Sequence, residues 1–222
     1  MPVVVIASPK GGAGKSTTAV ILGTELARAG ASVTLVDCDP NQSLALWASR
    51  APLPARMSLV ADATESSIVR LIKSHDADGS VVVVDLEGVA SRLVSRAISQ
   101  ADLVLTPMRA TTLDATVGAR AVALVAEEEE ALGRPIPHAV VFTMTRAIRS
   151  KQHAEIERSL KEQGVDVVEP GLMERSAFSA LFEFGGDLAT LPAQGNMAAA
   201  QANAEGFAAA VFRRLTEARE AA

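Results

Sequence analysis

The sequence predicts an α/β protein built on a mostly parallel, doubly wound sheet with helices on both faces, and three observations lead there. Short apolar, β-branched runs stand at seven places and alternate with stretches of helical periodicity. A glycine-rich loop joins the first of these runs to the first helical stretch. Aspartates stand at the ends of the second and fourth runs, and the carboxyl ends of strands are where open parallel sheets bind ligands.

The first run, Val3 to Ala7, leads into Ser8-Pro9-Lys10-Gly11-Gly12-Ala13-Gly14-Lys15-Ser16-Thr17-Thr18. Closely spaced glycines let backbone N–H groups turn inward without Cβ clashes, and together with a helix N-terminus they cradle polyphosphate. Lys15 would neutralise β/γ-phosphate charge, and Ser16 would hold Mg²⁺ against the phosphates. The pattern G-x-x-x-x-G-K-[ST] fails at Pro9, where its first glycine belongs. Lys10 consequently lies inside the loop, and two lysines surround one phosphate site. From Thr17 the positions Ala19, Leu22, Leu26 and Ala29 recur at helical spacing, until Gly30 ends the helix in a left-handed cap.

Ser32 to Val36 is the second strand and closes a βαβ unit. Asp37-Cys38-Asp39-Pro40 follows, with both carboxylates on one side of an extended segment, facing the phosphate loop. An Asp–Pro turn capping the next helix is the plainer role open to Asp39. Asn41 to Ser49 reads as a short helix carrying Leu44, Leu46 and the single tryptophan, Trp47, all expected in packing. Met57 to Ala61 reads as a strand, and Glu65 to Lys73 as a surface helix. Val81 to Val84 is a buried strand with Asp85 at its carboxyl end, a Walker B aspartate that holds Mg²⁺ opposite Ser16.

Ala101 to Pro107 supplies another strand, and Leu113 to Leu132 a long alanine-rich helix stopped by Gly133 and Pro135. Pro137 to Thr143 is a strand, Lys151 to Gln163 an amphipathic helix, and Val165 to Val168 the last strand. The loop from Glu169 suits a lid, and Met173 to Phe178 leads into a helix whose Phe178, Phe182 and Phe184 are expected to pack inward. In the final helix Ala204, Phe207, Ala208, Val211, Phe212 and Leu215 share the docked face, with Arg213 and Arg214 toward the other.

Composition narrows the function. With 49% apolar and 21% charged residues the chain is ordinary for a compact soluble protein, and no apolar run reaches the ~18 residues of a membrane span. Cytoplasmic residence is expected. The single cysteine, Cys38, rules out an internal disulfide or paired thiolates, and His75, His138 and His153 are too scattered for a metal site. A net charge of −5 argues against a broad basic surface, leaving at most a local one. The acidic run Glu127 to Glu130 reads as a solvated helix face.

Lys10 to Thr17 resembles the deviant Walker A motif, Lys-Gly-Gly-x-Gly-Lys-[Ser/Thr]-Thr, of the ParA/MinD family of ATPases. The likeness runs through essentially the whole chain and is nearest the short ParA-type branch. It implies one ParA-like ATPase domain of the P-loop NTPase type over residues 1–222, using ATP and Mg²⁺ and turning over slowly without a partner. By this resemblance Gly11, Gly12, Ala13, Gly14, Lys15, Ser16 and Thr17 hold the phosphates, and Lys10 reaches across a homodimer interface to the partner's nucleotide. Asp39 orients the attacking water, Asp37 lies nearer a metal shell completed by Ser16 and Asp85, and Thr145 and Arg146 touch the adenine. Many members have Asn at the polar adenine position. The family usually continues Thr-Pro-Pro after its Walker B strand, whereas this chain has Leu86-Glu87-Gly88.

Glu174-Arg175-Ser176-Ala177-Phe178, within Met173 to Leu191, is similar to ATPases that assist transferred-DNA processing in conjugative plant-pathogen systems. The function implied is a switch whose ATP-bound dimer holds nonspecific DNA and whose hydrolysis is stimulated by a cargo-adaptor protein. Its cargo would be a plasmid, transferred DNA or a protein cluster, and it would associate with the nucleoid. Arg146, Arg149, Lys151, Arg213 and Arg214 are the DNA-contact candidates by charge. A tail ending Glu217 to Ala222 does not suit a MinD-type membrane anchor, so no membrane partner is expected. Two other functions share the fold: a small-molecule ligase of the dethiobiotin-synthetase type, which needs no trans lysine, and an ATP-binding scaffold that scarcely hydrolyses.

Overall fold

The computed structural model describes residues 1–75, 79–88 and 91–220, except the side chains of 113–118 and 219. Among the described residues seven strands form one sheet: β1 (Val3–Ile6), β2 (Ser32–Cys38), β3 (Met57–Val60), β4 (Ser80–Leu86), β5 (Leu103–Met108), β6 (His138–Phe142) and β7 (Asp166–Val167). Their order is β3-β2-β4-β1-β5-β6-β7, and every pairing is parallel. The helices are α1 (Lys15–Arg28), α2 (Ser43–Ala48), α3 (Ile68–Ser74), α4 (Arg92–Ile98), α5 (Thr112–Leu132), α6 (Lys151–Glu162), α7 (Ser176–Phe184) and α8 (Met197–Glu220).

Strand alternation divides the core between the two faces of the sheet. Val4, Ile6, Val33, Leu35, Val81 and Val83 pack with α1, α7 and α8, whereas Val3, Val5, Val36, Val82 and Val84 pack with α3 and α4. Helix α1 is enclosed rather than one-sided: residues Thr18 to Ala27 are buried on every face, while Ala29, expected inside, is exposed. Gly30 takes the left-handed conformation (φ 103°) expected of it.

Leu46 and Phe184, expected in packing, are exposed, and the structure departs from expectation at helix α4 and Phe212 as well. Helix α4 falls in a stretch to which the sequence analysis assigned no element. Its signal is nonetheless present, since the Ser91 side chain accepts from Val94 N at 3.3 Å and Val94, Ala97 and Ile98 follow at helical spacing, all buried. Phe212 leaves the docked face of α8. It is 53% exposed, beside a groove with Ala208, Ala209 and Met1, while Phe207 is fully buried. Phe207, Val211 and Leu215 share the buried face, and Phe212, one residue past Val211, is turned about 100° away from it.

Candidate nucleotide site

The sheet order sets β1 between β4 and β5, so the loop leaving β1 lies over the carboxyl ends of three strands. Register then brings the acidic groups together, with Ile6 opposite Asp85 and Asp85 opposite Asp37. Gly12 (φ 71°) and Gly14 (φ 93°) adopt the left-handed backbone that lets the loop turn back on itself. At Gly14 a Cβ would also come within 3.3 Å of Thr143.

Lys15 opens α1 and is 7% exposed, its Nζ 3.8 Å from Asp39 Oδ2. The other oxygen of Asp39 accepts from the backbone and side-chain nitrogens of Asn41 at 2.9 and 2.8 Å. Asp39 therefore offers one oxygen toward the loop. Asp37 is differently committed: Oδ2 accepts from Leu44 N (2.9 Å) and Ala45 N (3.1 Å), and Oδ1 from Asp39 N (3.1 Å). The capping role left open for Asp39 thus belongs to Asp37, which would have to release backbone amides to bind a metal directly. Burial is the main force raising the Asp37 pKa, opposed by these same amides.

Asp85 is fully buried, and neither of its oxygens has a hydrogen-bond partner. Burial lifts its pKa to about 7, opposed by the nearby Ser16 hydroxyl and Lys15 and reinforced by Asp37 and Asp39. An orphaned, sealed carboxylate beside a serine hydroxyl suits a hard cation. Among the described residues no group of three or more His, Cys, Asp or Glu could hold a metal. Such a cation would therefore take its remaining ligands from phosphate and water, as Mg²⁺ commonly does. Cys38, between the two aspartates, is pushed up to about 12 by burial and the neighbouring carboxylates, so its thiol is inert.

A cleft of about 110 Å³ adjoins the loop, lined by Gly14, Thr17, Thr143, Met144, Met173 and Phe178 among others. The expected adenine residues do not line it. Thr145 is stitched to the next segment, donating to Leu172 O (3.2 Å) and accepting from Glu174 N (2.9 Å), and Arg146 is exposed. Two of the basic candidates are already paired: Arg149 with Glu157 (2.6 Å) and Glu169 (3.2 Å), and Arg214 with Asp166 (2.9 Å). Lys151 and Arg213 are exposed and Lys10 is half-buried. Three loop contacts escaped the sequence reading: Arg109, Thr143 and Thr18 each bond a loop carbonyl. A hydroxyl one residue past the β6 strand was the available hint for Thr143, whereas nothing in the pattern around Arg109 announced it.

A strand, a glycine-rich loop with a buried lysine, a helix and an orphaned Walker B carboxylate define a P-loop nucleotide-binding protein of the ParA/MinD type. The chain belongs to the VirC1 protein family, whose model matches residues 1–213. It is 64% identical over 220 residues to Protein ParA of Rhizobium radiobacter, covering 98% of this chain and 99% of that one. It is 32% identical to the maintenance of carboxysome distribution protein A of Gloeobacter kilaueensis, over 75% of this chain and 74% of the other. An ATP complex of McdA from Cyanothece superposes with a TM-score of 0.74 at 20% identity, covering 96% of both chains, a likeness of fold.

Proposed function

We propose that this protein is a switch ATPase: it binds ATP with Mg²⁺, dimerises over the nucleotide, and loosens on hydrolysis, so that it partitions or positions a cytoplasmic cargo. The observation that carries the reading is Asp85, a fully buried carboxylate without a hydrogen bond, set beside Ser16 and behind Lys15. Such a group makes physical sense as half of a cation site that phosphate completes. The cation, when bound, would draw charge from the phosphates.

The chain's own residues then divide the work. Loop amides and Lys15 hold the phosphate oxygens, and Met144, Met173 and Phe178 offer apolar walls for a base in the adjoining cleft. The Oδ2 of Asp39 is available to orient a water for in-line attack, which breaks the bond to the β-phosphate oxygen and releases phosphate. Lys10 supplies the partner's site with a second cation, because triphosphates enclosed at an interface need positive charge from both sides. Likeness to Protein ParA and to a protein named for carboxysome distribution supports the cargo-positioning role, for which the proposed partners are a stimulating adaptor protein and nonspecific DNA. The proposed place of action is the cytoplasm, in association with the nucleoid; among the described residues no helix is long and apolar enough to cross a membrane.

Phosphate release from ATP tests this, with wild type, Lys15→Ala and Asp39→Ala, each with and without duplex DNA. Lys15→Ala should lose ATP binding. Asp39→Ala should bind ATP normally, lose release by at least ten-fold, and retain DNA at low salt. ATP binding without release in wild type, under every partner condition, would favour the scaffold instead.

A further inference from the structure

Three consecutive carbonyls of the phosphate loop are tied down by three side chains from three different elements. Arg109 Nη2, just after β5, donates to Gly12 O at 3.2 Å. Thr143 Oγ1, just after β6, donates to Ala13 O at 2.7 Å, and Thr18 Oγ1, on α1, donates to Gly14 O at 2.7 Å. A trans peptide is planar, so its carbonyl and the following N–H point in opposite directions. Holding the carbonyls of residues 12, 13 and 14 outward therefore turns the amides of Ala13, Gly14 and Lys15 inward. Those are the donors a bound phosphate needs.

The three ties are not equivalent. Thr18 and Thr143 are buried, and the Gly14 carbonyl is further fixed by Thr18 N at 2.9 Å. The Gly12 carbonyl belongs to the peptide between exposed Gly12 and buried Ala13, and a Cβ at Gly11 or Gly12 would meet nothing within 4 Å. Packing therefore holds that peptide only at its Ala13 end and leaves the Gly12 end free. We propose that Arg109 is a positioning residue for nucleotide binding: its guanidinium holds the Gly12 carbonyl so that the Ala13 amide faces the phosphate. This deepens the nucleotide-binding reading and rests on it.

The test is ADP affinity by calorimetry for wild type, Arg109→Ala and Arg109→Lys, with apo melting temperatures, the KM and kcat for ATP, and hydrogen exchange at the Ala13 amide. Arg109→Ala should weaken ADP binding about ten-fold, the scale of one hydrogen bond from a charged donor, and raise KM more than it lowers kcat. Added guanidinium ion at tens of millimolar should restore part of that affinity in Arg109→Ala and leave wild type unchanged. Ala13 exchange should quicken while the apo melting temperature stays put, because the side chain is exposed. Arg109→Lys keeps the charge and should recover only part of the loss. Full recovery by Lys would assign the effect to charge at a distance and overturn positioning, as would ADP affinity in Arg109→Ala equal to wild type. Failure of wild type to bind ADP would overturn the nucleotide reading itself, and this inference with it.

Discussion

Asp85 is where the fold's stability and its function oppose each other. The carboxylate is sealed from water with both oxygens unbonded, and a charge so placed destabilises the protein until something compensates it. Its pKa is raised from 3.8 to about 7, so the folded state binds a proton the unfolded state has lost across that interval. Stability attached to Asp85 is therefore full below pH 3.8, falls as pH rises toward 7, and is flat above. Asp85→Asn has no such dependence. Without Mg²⁺ it should be the more stable protein at pH 8, by about 4 kcal/mol, with the gap shrinking as pH falls from 7 toward 3.8. Denaturant titrations across that range measure it, and a constant or reversed gap would show that Asp85 is compensated in the apo protein.

At this scale the sequence was generous wherever spacing along the chain carried the meaning. Lys15, Ser16 and Asp85 could be read because a strand must precede one loop and end at the other carboxylate. Asp37 and Asp39 were harder. Alternation places both on one side, but it cannot say which carboxylate the α2 amides will claim, and they claim Asp37. Arg109 was invisible because its partner is a backbone carbonyl 97 residues away.

Among the elements, α6 and the segment after β7 are joined by charge. Glu169 takes Lys161 at 2.7 Å and Arg149 at 3.2 Å, and Glu157 takes the same two cations. Lys161 foremost holds the Glu169 carboxyl down to about 2, so its contribution is present above the ordinary 4.5 and is lost as pH falls toward 2. Glu169 is 43% exposed, and solvent limits the effect to less than about 1 kcal/mol. Glu169→Gln should lower the melting temperature slightly at pH 7 and not at all near pH 2, and added salt should shrink the difference. That network occupies Arg149, and a separate pair with Asp166 occupies Arg214, so two of the basic residues proposed for DNA from charge alone are poorly suited. Arg149 and Arg214 already answer acidic neighbours, which a count of charges along the chain cannot reveal. Helix α4 was missed for a related reason: seven residues with a single serine cap are too short to stand out beside stronger valine runs.

For the whole molecule, strand number, parallel sheet and the side that carries the site were legible, because buried parallel strands read as continuous apolar runs and the loop marks the first of them. What lay beyond reach was the burial of Thr18 to Ala27 around α1 and the exposure of Phe212, both set by how helices fit against one another. The proposed action also belongs to this scale, since two copies must meet for Lys10 to act.

The measurement that bears on it most directly is oligomeric mass in solution, with ADP and with ATP plus Mg²⁺, for wild type, Asp39→Ala and Lys10→Ala. The account predicts that ATP makes wild type dimeric, that Asp39→Ala holds the dimer, and that Lys10→Ala stays monomeric while still binding ATP. A wild type that remains monomeric with ATP at every concentration, or a Lys10→Ala variant that dimerises as wild type does, would contradict it.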